Sequence, residues 1–267
     1  MEIPFIGIGT FRLKGDVVYD ITLSALKNGY NHIDTAKLYG NEREIGRAIK
    51  NSTIDRSKIF ITTKIWIDDI LKGNQRIIKS ICNSLQKLDV DYIDLVLLHA
   101  PIQEKLIESW KTLENIYLGQ ILELKNKVRY IGVSNYNICH LNTILQQCSV
   151  KPYVNQIEIS PYLSRKKLIK YCKNNDIKIV AHTSLTKGIK FNDEKLIKLS
   201  NKTKVSIPLL LLCWARSKNF VVLPRTSNLD HLVDNLKCLD IELSEKIIKK
   251  LDKFDEGFST HPKYIID

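Results

Sequence analysis

No stretch of this sequence is rich in Gly, Ser or Pro, its seven prolines are scattered, and no segment is of low complexity. With no linker to mark a boundary, the 267 residues are expected to form a single domain over 1–267. Long apolar runs are lacking as well. The longest, 207–215, is broken by Pro208 and falls far short of the ~20 residues that cross a bilayer, so no membrane association is expected. Met1-Glu2-Ile3-Pro4 has neither the basic start nor the apolar core of a signal peptide, and a cytoplasmic protein is expected. The six cysteines (Cys82, Cys139, Cys148, Cys172, Cys213 and Cys238) include no C-x-x-C pair. Neither a zinc site nor a disulfide framework is signalled, no metal is expected, and the thiols read as small buried groups in a reducing compartment.

Lys and Arg number 41 against 29 Asp and Glu, a formal charge of +12. The excess is spread along helical faces such as 246–250 and is not interleaved with aromatics, so nucleic acid is not the expected partner. A positive field of this kind does favour an anionic small molecule, including a phosphorylated cofactor.

What is present is an alternation of strands and helices. Residues 3–11 open the chain as an apolar segment punctuated by glycine, and a helix is predicted over 16–28. A short strand then ends at His32-Ile33-Asp34, and a polar connection carries Tyr39. Asn41-Glu42 opens a helix with Ile45, Ala48 and Ile49 at helical spacing. Five more strands are predicted at 58–64, 92–99, 128–134, 153–158 and 177–182, with helices between them. Counted from the strand ending at Asp34 these make six. Residues 220–224 give a seventh after a helix over Ile207–Ser217, and an eighth is expected near 238–241. Eight such units predict an α/β fold, the (β/α)8 TIM barrel. An open Rossmann sheet is disfavoured, because no G-x-G-x-x-G loop follows the first strand.

Asp34, Tyr39, Lys64 and His99 lie at the ends of the first three predicted strands or in the turn after them, so barrel closure would bring them to one face. A phenol is a poor proton donor at neutral pH, with a pKa near 10, but a nearby ammonium pulls that value down. Lys64 can supply the charge, Asp34 can hold Lys64, and His99 can orient a carbonyl oxygen for protonation by Tyr39. Taken singly, each has a plain structural role: a capping acid, a surface aromatic, a snorkelling lysine, a satisfied core histidine.

Residues 29–46 resemble the N-terminal signature of the aldo-keto reductases. The likeness continues through 3–10, Thr62-Thr63-Lys64-Ile65-Trp66, Leu97-Leu98-His99, Ile131-Gly132-Val133-Ser134-Asn135 and Val222-Leu223-Pro224-Arg225. It implies a (β/α)8 barrel that reduces aldehydes or ketones to alcohols with NAD(P)H, using Asp34, Tyr39, Lys64 and His99 as its tetrad and Tyr39 as general acid. It also implies that Ser134 and Asn135 bond the nicotinamide carboxamide beside Gln156, and that Arg225 and Thr226 meet a 2′-phosphate with Asn235 at the adenine. His231 stands where the family's phosphate-binding arginine is expected, replacing a permanent bidentate donor with a group charged only at lower pH. NADP(H) is the favoured cofactor and NAD(H) the alternative.

His182, followed by Thr183 and Leu185 as further cofactor contacts, occupies the position where the family carries a ring that stacks on the nicotinamide. Ala100 replaces a pocket-lining Trp of many relatives, and Phe11 and Trp66 remain as apolar walls, so a wide substrate pocket is expected. The start so close to Ile3-Pro4 would leave out half of the family's N-terminal hairpin. The tail 258–264 is expected to form one wall of the site. The partner expected is a small carbonyl compound and the protein a monomer; the competing expectation is an NADP(H)-binding barrel with a regulatory or structural role.

Overall fold

The computed structural model describes residues 2–262. Eight strands form one sheet in chain order, every neighbouring pair parallel: β1 (Ile8–Gly9), β2 (His32–Asp34), β3 (Phe60–Ile65), β4 (Ile93–Leu98), β5 (Val128–Ser134), β6 (Val154–Glu158), β7 (Lys178–His182) and β8 (Val221–Val222). The sheet closes on itself. Val222 N donates to Phe5 O at 2.8 Å, and Gly7 N and Gly9 N donate to Val222 O and Pro224 O at 2.9 and 3.0 Å. Around it lie α1 (Gly15–Lys27), α2 (Glu42–Asn51), α3 (Ile67–Leu71), α4 (Asn74–Leu88), α5 (Leu106–Tyr117), α6 (Ile138–Leu145), α7 (Lys166–Asn174), α8 (Glu194–Thr203), α9 (Ile207–Ser217), α10 (Leu229–Leu236) and α11 (Glu245–Leu251). The fold is the (β/α)8 barrel.

Two corrections concern the strand count. The opening segment itself contributes β1, so the strand ending at Asp34 is the second and that ending before His99 the fourth. The strand expected at 238–241 is instead a 3₁₀ turn, Lys237–Leu239, running on from α10. A barrel already closed by β8 against residues 5–9 has no edge left to pair with it.

Side chains alternate across each strand, and the alternation sorts them into two cores. Phe60, Leu95, Leu97, Val154, Val180, Val221 and Leu223 fill the inside of the barrel. Ile61, Ile65, Val96, Leu98 and Ile157 face outward into the larger core shared with the helices. One consequence reaches the site. Two residues beyond Phe60 comes Thr62 and two further Lys64; the same step from Leu97 gives His99, from Val154 gives Gln156 and Glu158, and from Val180 gives His182. His32, packed edge-on against Phe60, places Asp34 on the inner side of β2 in the same way. The inside of the barrel is thus apolar through its middle and polar at its C-terminal rim. Gly46 lets α2 seat on the end of α4, where a Cβ would stand 2.3 Å from Leu88 O.

Candidate active site

Lys64 is the hub of the rim. Its Nζ donates to Asp34 Oδ1 at 2.5 Å, Thr35 O at 3.0 Å and Tyr39 OH at 3.2 Å, which uses all three ammonium hydrogens. Asp34 is fixed from the far side of the barrel by Gln156, whose Nε2 donates to Oδ2 at 2.7 Å. Tyr39 ends the 3₁₀ turn Lys37–Tyr39, with its ring 5.0 Å from that of Phe11 and 5.8 Å from that of His99. Trp66 packs edge-on against His99 at 5.0 Å. The four tetrad candidates meet in one place, between two aromatic walls.

Burial sets the charges here. It opposes the Lys64 charge, but Asp34 and Tyr39 outweigh it and raise the Lys64 pKa, so the ammonium persists. For Asp34, burial pushes the pKa up against the pull of Lys64 and Gln156. Burial also raises Tyr39 above its ordinary value; Lys64 pulls it down, as the sequence leads one to expect, yet does not win. The expected net fall in the Tyr39 pKa is therefore corrected to a rise: the phenol is fully protonated at neutral pH. His99 is held well below its ordinary pKa by burial first and then by Lys64 and His182, so its ring is neutral. Its Nδ1 is buried and meets no hydrogen-bond partner among the described residues.

Ser134, Asn135 and His182 make a second polar group along the rim. Ser134 Oγ donates to Gln156 O at 2.9 Å, and Asn135 Nδ2 donates to His99 O at 3.0 Å. Because that carbonyl can only accept, the amide oxygen of Asn135 faces His182 Nε2 at 3.2 Å, which must carry the proton. His182 Nδ1 then accepts from Thr183 Oγ1 at 2.9 Å. Burial lowers the His182 pKa to about 3, leaving a neutral, oriented ring. Asn135 and Thr183 both hold the left-handed backbone (φ 63° and 59°), and Leu185 packs on the outer core. Ala100 is buried immediately after His99.

Arg225 and His231 are exposed, Thr226 Oγ1 is engaged with Asn228, and Asn228 caps α10, accepting from Asp230 N and His231 N at 2.7 and 3.1 Å. Asn235 is buried on the same helix.

Sequence reading missed a third group. Glu158, at the end of β6, accepts from Ser259 Oγ at 2.7 Å and from Thr260 N and Oγ1 at 2.9 and 2.8 Å, with His261 Nδ1 3.6 Å away. Burial works against its charge, yet these donors outweigh it and hold the carboxyl at about 2. Lys187 Nζ stands 3.2 Å from His261 Nε2, which accepts from it. Burial first, and then the nearby charges of Arg12 and Arg225, lower the Lys187 pKa despite Glu158. Residues 259 and 260 bond to Glu158 and the His261 ring lies 6.1 Å from that of His182; Lys263 and Tyr264, part of the expected wall, lie outside the described residues. No local motif signals a carboxylate whose donors lie a hundred positions away.

The sequence profile of the Aldo/keto reductase family matches residues 5–256. Among curated relatives, glyoxal reductase of Bacillus subtilis (strain 168) is 34% identical, over 100% of this chain and 95% of its own length. Methylglyoxal reductase DkgB of Escherichia coli O157:H7 is 35% identical, over 96% and 94%. A crystal structure of an aldo-keto reductase enzyme from a Medee basin deep-sea metagenome library superposes with a TM-score of 0.91 at 36% identity, covering 97% of this chain and 94% of that one. The chain belongs to the aldo-keto reductase family. It is an oxidoreductase of the carbonyl-reducing class, whose enzymes use nicotinamide cofactors.

Proposed function

We propose that the whole chain, 1–267, acts as one unit, a cytoplasmic, monomeric reductase of small aldehydes and ketones with NADP(H) preferred. The names of the relatives point to dicarbonyl compounds of the glyoxal and methylglyoxal kind. The single observation carrying the reading is the three-way bonding of Lys64 to Asp34, Thr35 and Tyr39, which fixes a protonated phenol beside a neutral imidazole.

The polar groups present suit a nicotinamide dinucleotide. Ser134, Asn135 and Gln156 gather hydroxyl and amide groups for a carboxamide, and the neutral His182 ring lies beside them. Arg12, Lys187 and Arg225 form an accumulation of like charge that phosphates would relieve. Arg225 and Thr226 would take the 2′-phosphate, with His231 and Asn235 on the helix behind. Once bound, the cofactor supplies the hydride. Between Phe11 and Trp66, a carbonyl oxygen accepts from Tyr39 and from His99, and Tyr39 OH releases its proton to that oxygen as negative charge develops there. Lys64, already bonded to the phenol, stabilises the phenolate left behind, and Asp34 keeps the ammonium in place.

The test is NADPH oxidation with methylglyoxal and simple aldehydes, wild type beside Tyr39→Phe, repeated with NADH. Wild-type turnover is expected, faster with NADPH, and Tyr39→Phe is expected to keep only a small fraction of it. Tight NADPH binding with no turnover on any carbonyl would refute the reading in favour of a binding barrel.

A further inference from the structure

Tyr39 is carried on a single 3₁₀ turn between β2 and α2, and that turn is tied down from outside. On its inner side Thr35 Oγ1 donates to Asn41 Oδ1 at 2.8 Å, and Asn41 Nδ2 reaches Thr10 O and Leu13 O at 2.9 Å each. On its outer side Lys37, first residue of the turn, ion-pairs with Asp69 Oδ2. Asp69 lies on α3, only 1% exposed, and is built in: Arg76 Nε donates to Oδ1 at 2.7 Å and Ser80 Oγ to Oδ2 at 2.8 Å, both from α4. A buried carboxylate with three donors, one of which comes from the turn bearing the phenol, is an anchor, and Arg76 and Ser80 keep it paired from α4 whatever Lys37 does. Exposed ion pairs such as Lys198–Glu194 have no comparable hold.

We infer that Asp69 is a positioning residue for the proton transfer, acting through Lys37 to hold Tyr39 within bonding distance of Lys64. The inference rests on the reading of Tyr39 as proton donor. A displacement of 1 Å in a reacting group can cost on the order of a hundredfold in rate. Asp69 touches none of the reacting atoms.

Lys37→Met cuts the tie while leaving Asp69 with Arg76 and Ser80, so the buried carboxylate is not orphaned. In the full-length enzyme with NADPH and methylglyoxal, kcat is expected to fall about tenfold while KM, NADPH affinity and Tm stay near wild type, with Lys37→Arg restoring most of the loss. A second readout is the pH profile of kcat. The groups facing Tyr39 are Lys64, Asp34 and His99, and Lys64 is the one that pulls its pKa down. Loosening the turn weakens that pull, so the basic limb moves to higher pH in Lys37→Met and in Asp69→Asn. A wild-type kcat in Lys37→Met, or a loss tracking Tm with the basic limb unmoved, overturns the proposal. A wild type that turns over no carbonyl overturns the reductase reading and this proposal with it.

Discussion

Around Lys64 the barrel rim is organised by the protein's own hydrogen bonds, whereas Arg225 is exposed. Asp34, Tyr39, Lys64 and Gln156 are linked by hydrogen bonds inside the barrel rim, with the Lys64 ammonium committed to Asp34, Thr35 and Tyr39. Arg225 and His231 project from a segment whose own order comes from the Asn228 cap of α10. Preorganised groups act on charge that develops during reaction; exposed cations act on charge that a ligand brings with it. The first region is suited to chemistry and the second to capture, and substitutions should separate the two.

The largest effect is expected from Lys64→Met. It leaves Asp34 buried with only Gln156, and losing one partner of such a pair costs roughly 3–5 kcal/mol, so both turnover and the denaturant midpoint should collapse. A variant that folds normally would show that the corner is less tightly built than described. Tyr39→Phe should cost 10²–10⁴-fold in kcat, the range for general acid catalysis, with NADPH affinity by fluorescence within about twofold. Affinity that collapsed in this variant would move Tyr39 into the capture region. Arg225→Ala should do the reverse, weakening NADPH by about tenfold or more, as expected for a charge-assisted hydrogen bond, with NADH and kcat little changed. Equal losses for the two cofactors would remove the 2′-phosphate from the account.

A separate effect is on acid stability. Glu158, at about 2 in the fold against an ordinary 4.5, adds stability that is fully present above pH 4.5 and is lost as pH falls toward 2. Glu158→Gln should flatten the fall in Tm across that window and leave the neutral slope alone. A curve parallel to wild type would show that residues 259–261 are held by something else.

The same division explains what could be read in advance. Asp34, Lys64 and His99 were legible because strand alternation and closure fix where a strand-end residue points, and one wrong strand number did not disturb that logic. The miscount came from β1, only two residues long and too short for periodicity to register, and from residues 238–241, where a strand was expected and a 3₁₀ turn lies. The direction of the Tyr39 pKa was not legible, since Lys64 can be named from sequence but the depth of burial cannot. Glu158 with Ser259 and Thr260, and Lys37 with Asp69, are pairings between separate elements. Nothing at either end of each pair announces the other.

Closure of the barrel between residues 5–9 and β8 also has a kinetic meaning. The pairing spans nearly the whole chain, so it is among the contacts most expensive in loop entropy and the slowest to find. Arg225 and α10 follow directly after β8 and are placed only once it docks, and the strands bearing Asp34 and Gln156 must already be in register for their bond across the lumen. We expect a bound dinucleotide, through Arg225 and α10 beyond β8, to slow unfolding.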